Sequence, residues 1–471
     1  DRRSIVSHCM QNQRIPIQLH SGVPAHRCGP VVLHSHPLRA GPLLRRGHEK
    51  DLWQHQAQGR RSKERHDLLP GPGHRHRRSG GYRQHHRRLR RHPHRGPGAI
   101  FWMWVIAFFG MATIYAEATL AQKTRIIDKD GTVHGGPVYY ITTAFKGGFG
   151  KFLAGFFAVA IILALGLMGS MVQSNSIGST FQTAFGVPAW VMGIVLVIIC
   201  AIIFLGGVQR LAAVTEKLVP IMAAIFLLGA LVVLAIRIQY IPETFGMIFK
   251  YAFNPNAIIG GGIGYALKTA ISQGAKRGLF SNEAGMGSTP HAHAQANVAH
   301  PHDQGVVAMA GVFIDTFVVL TLNALVIIST LYTSDGPLHE CGAAAASTTL
   351  GKANLAQTAF GTVFGESFGN IFVAICLFFF AFSTVLGWNL FGRINANYLF
   401  GRKNKKLCNT IYTIIALVFI FLGTLTGNDF VWELTDMFNN LIVLPNALAL
   451  FALTGMVVAM LKEGQQSKLQ V

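Results

Sequence analysis

Acidic side chains are scarce in this 471-residue chain, with 20 Asp and Glu against 41 Lys and Arg, and only 13% of all residues are charged. Soluble domains average about 25% charged residues, so a chain this poor in charge and 51% hydrophobic is not built to be covered by water. Cysteine is sparse as well. Cys9, Cys28, Cys200, Cys341, Cys376 and Cys408 show no metal or redox spacing, and Cys200 and Cys376 lie inside apolar runs, which argues against a disulfide framework. Residues 1–97 contain no apolar core of about 7–15 residues behind a basic start, so no secretory signal is read there. No Walker loop and no H-E-x-x-H string occurs, which removes the sequence signs of ATP coupling and zinc hydrolysis.

What is present is a series of long apolar runs from Gly98 onward. Nine of them approach the roughly 20 residues that cross a bilayer, at 99–122, 149–173, 187–206, 212–236, 257–280, 305–332, 369–396, 408–427 and 431–461. The fifth is weak, Gly-rich at its start and basic at its end. The basic connections at 123–129, 210–217, 403–406 and 462–468 alternate onto one side, and the long non-basic stretch 333–366 falls on the other. Positive-inside then predicts a multi-pass protein of the cell membrane with a cytoplasmic C-terminus.

Polar residues inside apolar runs mark candidate function, because the bilayer penalises them unless they face a cavity or each other. In "ALKTAISQGAKRGLFSNEAGMGSTPHAHAQA" (266–296), Lys276, Arg277, Asn282 and Glu283 follow a Gly-rich run, and Gly274, Gly278, Gly285 and Gly287 interrupt helical regularity. A broken helix frees backbone N–H and C=O groups that can hold ions and carboxylates. The bland alternative is a cytoplasmic loop obeying positive-inside. In "GLMGSMVQSNSIGSTFQ" (166–182), Gln173 and Asn175 are candidates to bind an amino or carboxylate group, or simply cap their helix. In "FFFAFSTVLGWNLFGRINANYLF" (378–400), Ser383, Thr384, Trp388 and Asn389 lie mid-span, with Thr384 and Trp388 four apart on one face. Hydroxyls there suit Na+, an oxygen-seeking cation, although Ser and Thr more often bond back to their own helix. His291, His293, His300 and His302 share one loop without a Cys or carboxylate among them, so no transition metal is expected.

Five stretches resemble, in order, the sodium:alanine (alanine or glycine:cation) symporter family: "GPGAIFWMWVIAFFGMATIYAEATLAQ" (96–122), "GGPVYYI" (135–141), "MVQSNSI" (171–177), "RGLFSNEAGMGSTPHAHAQA" (277–296) and "STVLGWN" (383–389). The resemblance covers about residues 95–465. It implies Na+-coupled uptake of a small neutral amino acid by alternating access, with no enzymatic activity and no cofactor beyond Na+ as coupling ion. It also implies an all-α polytopic fold of the leucine-transporter type, a 5+5 inverted repeat, in which the nine spans are core helices 2–10. Ser383 and Thr384 match sodium positions. Gln173, Phe380, Thr384 and Trp388 match the substrate pocket, and Gly278, Ser281, Asn282, Glu283, Gly285 and Gly287 match the motif at the broken helix. Partners implied are a small neutral amino acid, Na+ and the lipid bilayer, with no nucleic acid.

The same resemblance expects core helix 1, with a T-G-N-I-type break, and an extra helix before it. Residues 1–97 offer neither. They carry 21 Lys and Arg against 5 Asp and Glu, and 14 of the 20 His, without helical or strand period. Read one base out of frame, "YRQHHRRLRRHPHRG" (82–96) permits T-G-N-I-I-G-V-S-A-A-I-L-T-G running straight into Gly96-Pro97-Gly98. Residues 1–95 are therefore expected to be an aberrant, out-of-frame and disordered basic segment. Residues 96–465 form the transmembrane symporter domain and 466–471 a cytoplasmic tail. The competing reading takes 1–95 literally, as a basic arm binding nucleic acid or anionic lipid.

Overall fold

The structure is a computed structural model that describes residues 97–128, 133–253, 263–339, 354–401 and 404–469. The segment 1–95, with both readings of it, lies outside the described residues.

Helices account for nearly all of the described chain. α1 (Gly98–Thr124) leads into a two-residue-per-strand hairpin, β1 (Ile126–Ile127) against β2 (Val133–His134), antiparallel with Ile126 opposite His134. There follow α2 (Pro137–Ala144), α3 (Gly147–Phe185), α4 (Ala189–Leu205), α5 (Gly207–Ile236), α6 (Ile241–Phe253), α7 (Ile263–Asn282) and α8 (Pro290–His293). α9 (Pro301–Leu331), α10 (Asn354–Phe364), α11 (Glu366–Phe400), α12 (Lys405–Leu425), α13 (Asn428–Ala452) and α14 (Thr454–Leu469) complete the order.

Seven of these are long and apolar enough to cross a membrane: α1, α3, α9, α11, α12, 214–236 within α5, and 429–452 within α13. Three of the nine expected spans differ. The third is α4, apolar throughout but 17 residues long. The fifth begins outside the described residues, and its visible part, α7, is too polar. The ninth ends at Ala452, and beyond Leu453 α13 gives way to the more polar α14. The outward faces carry large apolar side chains, among them Ile198, Leu205, Leu228 and Phe430, all more than half exposed. Such a surface is stable in lipid and not in water.

Glycine decides where the helices approach closely. A Cβ at Gly98 would sit 2.2 Å from the Tyr251 backbone, and one at Gly169 would sit 2.7 Å from the Trp388 ring. These are the small-residue contacts by which membrane helices pack when no hydrophobic drive separates them from lipid. Two spans widen into π-helix, Ile162–Gly169 within α3 and Ile314–Leu320 within α9. Such insertions displace backbone hydrogen bonds and concentrate at functional sites. At the end of α5, Arg237 grips Asp335 through two contacts of 2.6 Å, and this holds the Asp335 carboxyl well below the usual carboxylate range.

Candidate functional site

α7 stops at Asn282 because the next residues cannot continue it. Glu283 adopts φ +56°, the one non-Gly residue with positive φ among the described residues, and Gly285 and Gly287 follow at +93° and +76°. A Cβ at Gly287 would also lie 2.9 Å from the Phe157 ring, so conformation and space both require Gly there. The Asn282 side chain turns back to accept from Ala284 N at 3.1 Å, an Asx-type closure of the helix end.

The amides released by this break converge on one buried carboxylate. Gly285 N donates to Glu117 Oε2 at 3.1 Å, and Gly287 N donates to Oε1 at 2.9 Å. Glu117 lies in α1 and is fully buried. Asn446 of α13, directly after Pro445, donates to Glu117 Oε1 at 2.5 Å and to Gly285 O at 2.9 Å. Tyr140 of α2 donates to Asn446 Oδ1 at 2.5 Å. Four segments thus meet at one carboxylate, and successive amides curled around an anion form an anion nest. The N–H groups of Gly285 and Gly287 freed by the break are thus taken by the protein's own Glu117.

The rest of the motif is held from α9 and α11. Ser281 donates to Asp315 Oδ2 at 2.8 Å, and Asn282 donates to Thr316 Oγ1 at 3.3 Å. Glu283 accepts the Trp388 indole N–H at 2.7 Å and the Ser288 hydroxyl. Gly278 faces α1 in ordinary contact with Ile106 and Met103.

The remaining candidates, Trp388 apart, make none of these contacts among the described residues. Ser383 and Thr384 each donate to Phe380 O of their own helix at 2.9 Å, and Ser383 also approaches Met222 Sδ at 3.6 Å. Phe380 and Trp388 turn to different neighbours, Phe226 at 5.7 Å and Phe280 at 5.6 Å between ring centroids. Gln173 is half-buried. Asn175 donates to Gly423 O and Thr426 O at 2.9 and 2.7 Å, capping the end of α12, which is the bland reading of that amide.

Arg277 is not a loop cation. It pairs with Asp436 at 3.0 Å and stacks over Trp432, beside a cavity of about 190 Å³ lined by Lys276, Phe280, Met286, Asp436 and Asn439.

The four loop histidines share no common partner. His291 donates from Nδ1 to Ser288 O and accepts the Asn395 amide at Nε2, His293 pairs with Gln304 and His302 with Tyr115, while His300 lies 3.9 Å from Glu463. Burial pushes both His291 and His293 down to about 4. A G-x-S-x-G string does occur at 365–369, but it opens α11 with Ser367 exposed and lacks the strand-to-helix turn that a nucleophile needs.

Sequence reasoning missed Glu117, Asp315 and Asn446. The first two were detectable, since each is a lone carboxylate in an apolar run. Asn446 carried no local signal beyond the preceding Pro.

A multi-pass helical protein whose buried polar groups gather at a helix break has the build of a secondary transporter. Residues 94–470 match the sodium:alanine symporter family, and the chain belongs to that family. It is 42% identical over 365 residues to the sodium/alanine symporter AgcS of Methanococcus maripaludis, covering 77% of this chain and 76% of that one. It is 36% identical to the amino-acid carrier protein AlsT of Bacillus subtilis, over 80% of this chain and 75% of the relative. It is 35% identical to a sodium/proton-dependent alanine carrier protein of a Bacillus species, over 76% and 79%.

Proposed function

We propose that this chain is built for Na+-coupled symport of a small neutral amino acid, alanine first and glycine second, by alternating access. The observation that carries this reading is the break after α7, held between α1, α9, α11 and α13 by buried polar contacts. Such a joint lets one helix bundle rock against another around a polar centre. Ser383 and Thr384 donate their protons to Phe380 O and keep oxygen lone pairs for Na+. On this reading Trp388 and Phe380, bulky residues of one helix, cap a small substrate pocket. The C-terminus is cytoplasmic on this reading, and the spans are core helices 2–10 of an inverted repeat.

Core helix 1 supplies the facing wall, and we assign it to the shifted frame of residues 82–95. The 471-residue chain then inserts but does not transport, since each Arg at a helix centre costs about 2.5–3.5 kcal/mol on insertion scales. The test compares labelled alanine uptake into proteoliposomes by the 471-residue chain and by a version with the frame restored upstream of Gly96. Na+-driven uptake is expected only in the second, competed by glycine and not by arginine, glutamate or leucine. Equal uptake in both removes the frame reading, and preference for a large or charged amino acid removes the substrate.

A further inference from the structure

α7 ends with carbonyls whose helical donors have been drawn elsewhere. In a continuing helix, Phe280, Ser281 and Asn282 would receive the amides of Ala284, Gly285 and Met286. Instead Ala284 N goes to Asn282 Oδ1, Gly285 N to Glu117, and Met286 N to Glu283 O at 3.1 Å. The last turn of α7 therefore combines the negative end of the helix dipole with diverted carbonyls, an arrangement that favours a cation.

Oxygen side chains collect at the same end. Asp315 Oδ2 accepts from Ser281 Oγ at 2.8 Å and from Thr316 Oγ1 at 3.1 Å. Both hydroxyls spend their protons on that carboxylate, so each keeps lone pairs for another partner. Thr316 is fully buried and Asn282 nearly so. Asp315 and Thr316 sit on the π-helical part of α9, where Thr321 donates to Thr316 O at 2.9 Å.

The charge balance points the same way. Glu117, Glu283 and Asp315 all lie at this break, and no Lys, Arg or His among the described residues forms an ion pair with any of them. Glu117 is satisfied by amide donors and Glu283 by Trp388 and Ser288. Among the described residues, Asp315 has only two hydroxyls on one of its two oxygens. An ionised carboxylate inside a spanning helix calls for a counter-charge.

We propose that Asp315, Ser281 and Thr316 form a monovalent-cation site for Na+ at the C-terminal end of α7, distinct from the Ser383–Thr384 hydroxyls. The ligands are all hard oxygens, and the spacings of 2.8 and 3.1 Å from Asp315 Oδ2 to the two hydroxyls suit an ion held at about 2.4 Å. The symport reading contributes only the identity of the ion, because every residue of the site is among those described.

The test needs no transport. Thermal unfolding of the purified 471-residue chain is followed in detergent as NaCl replaces choline chloride at constant ionic strength, since a ligand of the folded state raises its melting temperature. Na+ is expected to stabilise the chain. Asp315→Asn, Ser281→Ala and Thr316→Val should each raise the half-effective Na+ concentration, by roughly tenfold for the carboxylate. Thr410→Val, at an exposed hydroxyl bonded to Lys406 O of its own helix, should leave this response in place. If Asp315→Asn does not fold, the two hydroxyl variants carry the same comparison. Overturning results are no stabilisation by Na+, an unchanged half-effective concentration in the Asp315 or both hydroxyl variants, or an equal shift in the Thr410 variant. A Na+ response that depends on Asp315, with no uptake in the frame-restored version, keeps the site and overturns the symport reading. Uptake whose Na+ dependence ignores Asp315→Asn does the reverse.

Discussion

Trp388 donates its indole N–H to Glu283 Oε1 at 2.7 Å, joining the middle of α11 to the first left-handed residue after α7. The contact ties a residue of the proposed pocket to the break. Trp388→Phe keeps an aromatic ring for the edge-to-face contact with Phe280 and removes one donor from a carboxylate, a loss of about 1.5–3 kcal/mol for a hydrogen bond to a charged group. In the frame-restored protein the expected result is at least a tenfold fall in maximal alanine uptake. The melting temperature should drop by only a few degrees. Uptake kinetics beside thermal unfolding check it, and unchanged uptake would detach Trp388 from the break.

Glu117 satisfies Gly285 N, Gly287 N and Asn446 Nδ2 together. Glu117→Ala leaves three buried donors without an acceptor, and at about 1–3 kcal/mol each the expected destabilisation is about 3 kcal/mol or more. Glu117→Gln keeps one acceptor oxygen and should lose less. Amide hydrogen exchange gives the local readout, with protection at Gly285 and Gly287 falling in both variants and further in Glu117→Ala. Unaltered protection would show that the nest holds itself.

Ser383 and Thr384 already spend their protons on Phe380 O, so their oxygens remain acceptors. Replacing both by Ala in the frame-restored protein should raise the Na+ concentration for half-maximal uptake several-fold, more than it weakens alanine binding. Sodium titration of uptake at saturating alanine measures this, and an unmoved curve removes both residues from ion binding.

His291 lies buried between the rings of Phe157 and Phe391, and burial holds it near 4 against about 6.5 in an unfolded chain. The unfolded state binds the extra proton between those values. His291 therefore contributes stability above pH 6.5 that is lost as pH falls towards 4. His293 adds a contribution of the same sign. Melting temperatures should decline between pH 7 and pH 4.5, and His291→Gln should flatten part of that slope. An equal slope in wild type and variant would place the proton elsewhere.

The sequence alone determined the class of the protein and most of its spans. Unbroken apolar runs state that a segment belongs in lipid, and they state it locally. The motif at 277–296 likewise announced a break, because three glycines within ten residues cannot sustain a helix. The exceptions are informative. α4 came out short because Pro188 and Gly206 bound a wholly apolar run, α7 came out polar because Lys, Gln, Arg and Asn interrupt its window, and α13 ended at Ala452 where hydropathy alone suggested continuation. What the sequence did not settle is which polar group meets which. Glu117 and Gly285 are 168 residues apart, and Asn446 is 329 from Glu117. No periodicity encodes such a meeting. Only the packing of α1, α7 and α13 brings them within hydrogen-bond distance, and it gives the free amides of the break to Glu117 and leaves Asp315 with oxygen atoms and no cation among the described residues.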